Sequence, residues 1–333
     1  MSYGERLSRM SQADLDATLD DATALGLGWI RADLSWTTVQ GGGPTSWSWG
    51  GFDRVVLAAK ARGLKVLPIL AYTPAWARDA DCTRFSCPPR DPAQFAAFAS
   101  AAVARYSSYG VTTWEVWNEP NLNQFWPTPD PVRYATLLTT TSAAIKKADP
   151  QATVLVGGLA ALENSAPSIG PREFLNAVCL TGACTSADAV SYHPYTYPYL
   201  ASYYATWSAW SKMSATPTSL RTVLGAFGLG TMPIWVTEYG APTDGDGMAG
   251  DGTWATTTAT TDHVTEAWQA SIAKDAVAKA DADPYVQSFF WYTNQDLAAS
   301  TRKEASFGLR HLDGTPKPSW QAFRNAVAAA KAS

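Results

Sequence analysis

The chain has 333 residues, 46% of them hydrophobic and 16% charged, with a formal net charge of −4. That balance describes a folded protein with a sizeable core and excludes an intrinsically disordered one. No basic run marks a nucleic-acid or anionic-membrane surface. No apolar run approaches the roughly 20 residues that span a bilayer.

The first ten residues are charged and polar throughout, which is not a leader pattern. Ser2-Tyr3-Gly4 is read as the remnant of a first strand. A helix is predicted from Ser11 to Leu25, because Ser11 stands in the capping position and Leu15, Leu19, Ala22 and Leu25 recur at helical spacing. The second strand is Trp29 to Leu34. It carries Arg31, and an arginine inside a buried strand is costly unless paired, so Arg31 is expected to meet a carboxylate. A structural salt bridge satisfies the same demand. After a helix over Phe52 to Ala61 comes a third strand, Leu64 to Leu70. Its loop holds Tyr72, Trp76, Cys82 and Cys87. Asp91-Pro92 starts the next helix.

Thr112 to Asn121 reads TTWEVWNEPN. The β-branched and aromatic residues make a fourth strand. Pro120 cannot donate to a ladder, so the strand stops there and leaves Asn118 and Glu119 at its C-terminal tip. A polar-aromatic loop through Trp126 follows. Pro131 to Ala148 is a helix, Thr153 to Val156 a fifth strand ahead of Gly157-Gly158, and Pro171 to Leu180 a short helix. The sixth strand, Ala189 to Tyr195, ends on His193 and Tyr195. The aromatics from Tyr197 to Trp210 fall at helical spacing and are read mostly as packing. The seventh strand, in MPIWVTEYG, ends on Glu238. A helix is expected over Thr261 to Ala280, an eighth strand over Val286 to Tyr292, and a closing helix over Trp320 to Ala330. No break in composition divides this alternation, so one domain over 1–333 is expected.

Two glutamates that each end a Trp-containing strand are what glycoside hydrolysis requires: one protonates the leaving oxygen and the other attacks or activates water. A lone strand-end glutamate is more often a solvated loop residue; the pair makes the chemical reading the stronger one. The chain has three histidines, scattered at 193, 263 and 311, with no paired-histidine motif that would point to a multi-histidine metal site. The Asp/Gly-rich stretch at 244–252 fits no EF-hand spacing and is read as a mobile rim. No metal or cofactor is expected. Cys82/Cys87 and Cys179/Cys184 each enclose four residues. Two local disulfides are the preferred reading, since zinc ligands are usually spaced more tightly and no histidine accompanies either pair. Disulfides imply an oxidising compartment, hence a secreted protein whose leader has been removed. Free buried thiols in a cytoplasmic protein stay open as the alternative.

Asn118-Glu119-Pro120 after one strand and Glu238 ending a later one resemble the clan of retaining glycosidases built on (β/α)8 barrels. The run Gly28-Trp29-Ile30-Arg31-Ala32-Asp33 with Trp36, and then Tyr72-Thr73-Pro74-Ala75-Trp76, is most similar to glycoside hydrolase family 39 and its endo-acting relatives. The resemblance implies an α/β fold, a single-domain TIM barrel, with Glu119 as acid/base and Glu238 as nucleophile. It implies that Arg31 braces Glu238, that His193 and Tyr195 line the site, and that Trp291 floors the scissile sugar. Trp36, Tyr72 and Trp76 belong to the resembling motifs, Asn118 is expected on the sugar 2-hydroxyl, and Trp126 on sugar. Retention requires carboxyl groups about 5–5.5 Å apart. The expected function is endo-acting hydrolysis of a β-linked polysaccharide by a monomer whose only partner is carbohydrate. An exo-acting, β-xylosidase-like enzyme and a non-catalytic carbohydrate-binding barrel are the alternatives.

Overall fold

The computed structural model of the chain describes residues 1–256, 258, 260–300 and 302–332. Six parallel strands come first: β1 (Trp29–Ser35), β2 (Lys65–Ala71), β3 (Thr113–Asn118), β4 (Thr153–Ala160), β5 (Ala189–His193) and β6 (Ile234–Tyr239). A ribbon of β7 (Met248–Gly250) and β8 (Thr261–Val264) then precedes β9 (Val286–Trp291), which pairs with β6. The opening residues join the two ends of this sheet. The Ser2 N–H donates to the Trp291 carbonyl at 2.8 Å and the Tyr3 N–H to the Arg31 carbonyl at 2.9 Å, with parallel bridges from Ser2 to Tyr292 and Arg31. Met1 to Gly4 therefore stands in the first-strand position, and the fold is a (β/α)8 TIM barrel.

The strands are apolar almost end to end because helices cover one face and the barrel interior the other. From its second residue onward, β2 is buried throughout, as is all of β3. Helices begin where capping chemistry allows. Ser11 accepts from the Asp14 N–H ahead of helix Gln12–Ala24. Asp91 and Asp130 cap helices that open on Pro92 and Pro131, where a missing N–H costs nothing. Both cysteine pairs are joined, Cys82 to Cys87 and Cys179 to Cys184.

Two stretches depart from the expected pattern. Thr261–Val264 is a strand, and the helix begins only at Glu266 behind a Thr265 cap that accepts from the Trp268 N–H. Threonine and valine suit a pleated edge better than a helical first turn. The Tyr197 to Trp210 stretch is a run of turns; between β5 and β6 the helices are Ser211–Ser214 and Leu220–Ala226. Aromatic spacing there mimics a helix, whereas Pro198 and the serines and threonines favour turns.

Gly157 and Gly158 sit inside β4, where its register with β5 shifts between Val156 and Leu159. A Cβ on Gly157 would lie 2.5 Å from the carbonyl oxygens of Val116 and Trp117, so only glycine lets β3 and β4 approach this closely. Gly157→Ala is expected to cost about 1–3 kcal/mol, read as a lower midpoint in denaturant unfolding with an unchanged slope; an unchanged midpoint would contradict this packing argument.

Candidate active site

The site is built from the C-terminal ends of the barrel strands, the face on which such barrels carry their functional groups. Its base is a charged cluster in the barrel interior. Arg31, on β1, is fully buried. Its Nε and one terminal nitrogen grip Glu115 of β3 at 2.7 and 3.0 Å. The other terminal nitrogen donates to Glu238 Oε1 at 2.5 Å and to the Ser2 hydroxyl at 3.1 Å. Asn118 Oδ1 accepts from the same guanidinium at 2.9 Å. Burial works against the charge, but Glu115 and Glu238 outweigh it and hold Arg31 above its ordinary value. Glu115 also accepts from the Gly158 N–H at 2.8 Å. The contacts of Arg31 with β3 and β6 join strands that are not neighbours, so these side chains fill the barrel's interior.

Glu119 and Glu238 face each other above this cluster. One carboxylate oxygen of each, with a ring nitrogen of His193, lie within 4.8 Å of one another. The two environments differ. Glu238 takes the Arg31 bond and a 2.9 Å bond from the Tyr195 hydroxyl. Burial pushes its carboxyl up, but His193, Arg31 and Tyr195 together more than offset this and hold it below the ordinary glutamate value. Glu119 lies 2.8 Å from His193 Nδ1, whose Nε2 is 3.1 Å from the Thr237 hydroxyl. Its backbone N–H donates to the Gly158 carbonyl at 2.9 Å.

The backbone that carries these groups is strained. Tyr72, Trp117 and Glu119 are the non-glycine residues with left-handed φ among the described residues, at 67°, 75° and 43°. Such conformations cost on the order of 1–3 kcal/mol each and persist only where packing fixes them. All three stand at or beside the ends of β2 and β3.

A cleft of about 530 Å³ opens over the pair, bordered by Asp33, Tyr72, Asn118, Tyr195 and Tyr292 with the two glutamates. Asp33 is only 7% exposed, and burial pushes its carboxyl up to about 7, with Arg31 opposing and Glu5 and Glu238 reinforcing the shift. Tyr72 beside it is raised well above an ordinary tyrosine, first by burial and then by Asp33.

Of the residues singled out from sequence, Arg31, Tyr72, Asn118, Glu119, His193, Tyr195 and Glu238 are brought together. The tryptophans are not. Trp36 is fully buried, donates to Gln40 and packs on Trp76, Phe95 and Phe98. Trp76 is half-buried behind it and donates to the Gln40 carbonyl. Trp126 packs on Trp117 and Tyr134. Trp291 is enclosed by Tyr239 and Phe323. Ring burial in the core leaves Trp36, Trp126 and Trp291 no free face, Trp76 does not border the cleft, and Tyr292, one residue beyond Trp291, reaches it instead. Glu115 and Asp33 were missed as members of the site. The available signal was a carboxylate at an otherwise apolar position of each strand.

A barrel whose strand ends present two facing carboxylates belongs to the architecture of the glycosidase barrels. The chain is a member of glycosyl hydrolases family 39, whose family model matches residues 93–329. It is 26% identical over 299 residues to a β-xylosidase of Geobacillus stearothermophilus, covering 81% of this chain and 54% of that protein, so it spans about half the relative's length. Among solved structures it is similar to a family 39 glycoside hydrolase of Bacteroides cellulosilyticus, with TM-score 0.74 and 24% identity over 98% of this chain and 63% of that one. It is also similar to a family 39 β-xylosidase of Caulobacter crescentus, with TM-score 0.67 and 26% identity over 98% of this chain and 70% of that one.

Two outcomes follow from the buried charges. Arg31→Met strands Glu115 without its cation and is expected to cost about 3–5 kcal/mol of stability; adding Glu115→Gln should recover part of it, and a strictly additive double variant would refute the coupling. For Asp33 the folded value is raised above the ordinary 3.8, so the folded state holds the proton more tightly and this contribution to stability is lost as pH rises toward about 7. Asp33→Asn should therefore raise the thermal midpoint relative to wild type more at about pH 8 than at about pH 4. An equal effect at both would remove Asp33 as a buried titrating group.

Proposed function

We propose that the chain is a single-domain retaining β-glycosidase of endo action, in which Glu238 is the nucleophile and Glu119 the acid/base. The observation that carries this is the Glu119–Glu238 pair, with one oxygen of each inside 4.8 Å. That is in keeping with the roughly 5–5.5 Å between carboxyl groups of retaining enzymes rather than the roughly 6.5–9.5 Å of inverting ones. Glu238 attacks the anomeric carbon as the bond to the leaving oxygen breaks, and Glu119 gives its proton to that oxygen. Water then loses a proton to Glu119 and attacks the same carbon, and the ester to Glu238 breaks. His193, Arg31 and Tyr195 keep Glu238 ionised for the first step, and His193 also orients Glu119. Asn118, held by Arg31, faces the cleft where a sugar 2-hydroxyl would lie.

The substrate class follows from the cleft. Its volume falls in the roughly 300–1,000 Å³ range of ligand pockets, and Tyr195, Tyr197, Phe125 and Phe307 give it aromatic walls suited to sugar rings. A second reading, exo-acting release of xylose from short chains, draws on the likeness to the Geobacillus β-xylosidase. The two disulfides support an extracellular setting.

The test is product analysis by size and by anomer on β-linked xylan, glucan and mannan and on aryl glycosides. Oligosaccharides released first as the β-anomer support the reading, monosaccharide alone moves it to exo action, and initial inversion defeats the nucleophile assignment. Glu119→Gln is expected to lower kcat/KM about 10²–10⁴-fold on poor leaving groups and far less on dinitrophenyl glycosides, which need no proton. Tyr195→Phe removes a bond that lowers Glu238, so the acid limb of the kcat/KM profile should move to higher pH; a limb that stays in place would unseat Glu238 as its origin.

A further inference from the structure

The long connection from β5 to β6 builds a surface that the catalytic groups do not use. A second cavity, of about 240 Å³, adjoins the cleft and shares Ala161, Leu162, Tyr195 and Tyr197 with it. Beyond these shared residues its wall combines the rings of Tyr192, Tyr199 and Trp207 with the charged Glu163 and Lys212. Tyr199 and Trp207 meet edge to face at 4.9 Å, and Tyr199 stacks on Tyr203 at 5.1 Å. Trp207 keeps 52% of its surface exposed. An ion pair between Lys212 and Glu163 stands at the edge.

This shelf is held rigidly although it consists of turns. Trp210, three residues past Trp207, is buried against Tyr239 and Phe289. The Trp268 indole donates to the Pro198 carbonyl at 2.7 Å, and Asp275 accepts from the Ser202 N–H at 2.9 Å. The Tyr192 hydroxyl, at the end of β5, donates to the Ala209 carbonyl at 3.2 Å. An exposed tryptophan on a fixed support loses little conformational entropy on binding, which is how such rings anchor ligands.

We propose that the Tyr199–Trp207 shelf is a sugar-binding subsite. It takes the apolar face of a pyranose ring further along the same glycan whose bond lies between Glu119 and Glu238, while Glu163 and Lys212 meet its hydroxyls. The proposal rests on the glycosidase reading, and it specifies the occupant through continuity with the cleft. A chain that reaches the shelf gains affinity over one that fills only the cleft.

The experiment compares wild type, Trp207→Ala and Trp207→Phe on xylo-, gluco- and manno-oligosaccharides of two to six units and on the matching 4-nitrophenyl glycosides. In parallel, calorimetric binding of the six-unit chains is measured in the Glu238→Gln background. The expected result is a loss of about tenfold in kcat/KM and in affinity for the longest chains in Trp207→Ala. The nitrophenyl glycosides should stay within about twofold, and Trp207→Phe should keep most of the affinity. A loss that is equal for all lengths, no loss at any length, or no binding of the six-unit chains in the Glu238→Gln background would overturn the proposal. If wild type turns over nothing, the glycosidase reading fails, and the binding arm alone decides the shelf.

Discussion

Arg31 carries a full charge inside the barrel, and much of the site depends on how that charge is satisfied. Removing a guanidinium from water is costly, and the cost is offset here by a two-pronged grip on Glu115, a bond to Glu238 and neutral acceptors on Ser2 and Asn118. The partners come from the opening segment, β3 and β6. The same interaction therefore ties the seam of the barrel to the carboxylate at its mouth. Glu115 is what makes this arrangement stable as well as functional: it neutralises the arginine from below, so Glu238 does not have to do so alone and remains available to the cleft.

The two glutamates at the mouth are chemically alike and become different through their neighbours. Glu238 sits against a cation and a phenol hydroxyl, both of which favour the ionised form, whereas the side-chain partner of Glu119 is one imidazole nitrogen. Environment alone is enough to push two like carboxyl groups apart in proton affinity. The left-handed backbone at Glu119 and Trp117 is part of the same device. It turns the side chain off the strand axis, and the Gly158 carbonyl fixes the turned backbone.

Much of this was legible in the sequence because it is local. Pro120 cannot donate to a sheet ladder, so Glu119 could be read at a strand tip, and Glu238 followed from a later strand of the same kind. Arg31 announced a buried carboxylate by its own cost and the family resemblance pointed to Glu238, but Glu115, two strands away, which shares the arginine, went unread. The tryptophans misled for a physical reason. Trp36, Trp126 and Trp291 have the composition of a sugar platform, but composition does not encode which way a ring points, and packing on Phe95, Tyr134 and Phe323 claims them for the core. The turns from Tyr197 to Trp210 failed in the opposite sense. Their aromatic spacing suggested a helix with a buried stripe, while the structure leaves Tyr203, Tyr204 and Trp207 in solvent.

Gly158 lies where three demands meet. Its N–H serves Glu115, its carbonyl serves Glu119, and a Cβ there would fall 2.2 Å from His193 Nε2 and 2.9 Å from Glu115 Oε1. The missing side chain is thus filled by the imidazole of another strand. Positions 158 and 193 consequently cannot drift independently over evolutionary time. A lineage that gained a side chain at 158 would first have to shrink the residue at 193, and with it surrender the group that steadies Glu119, so the pair should be inherited together or lost together.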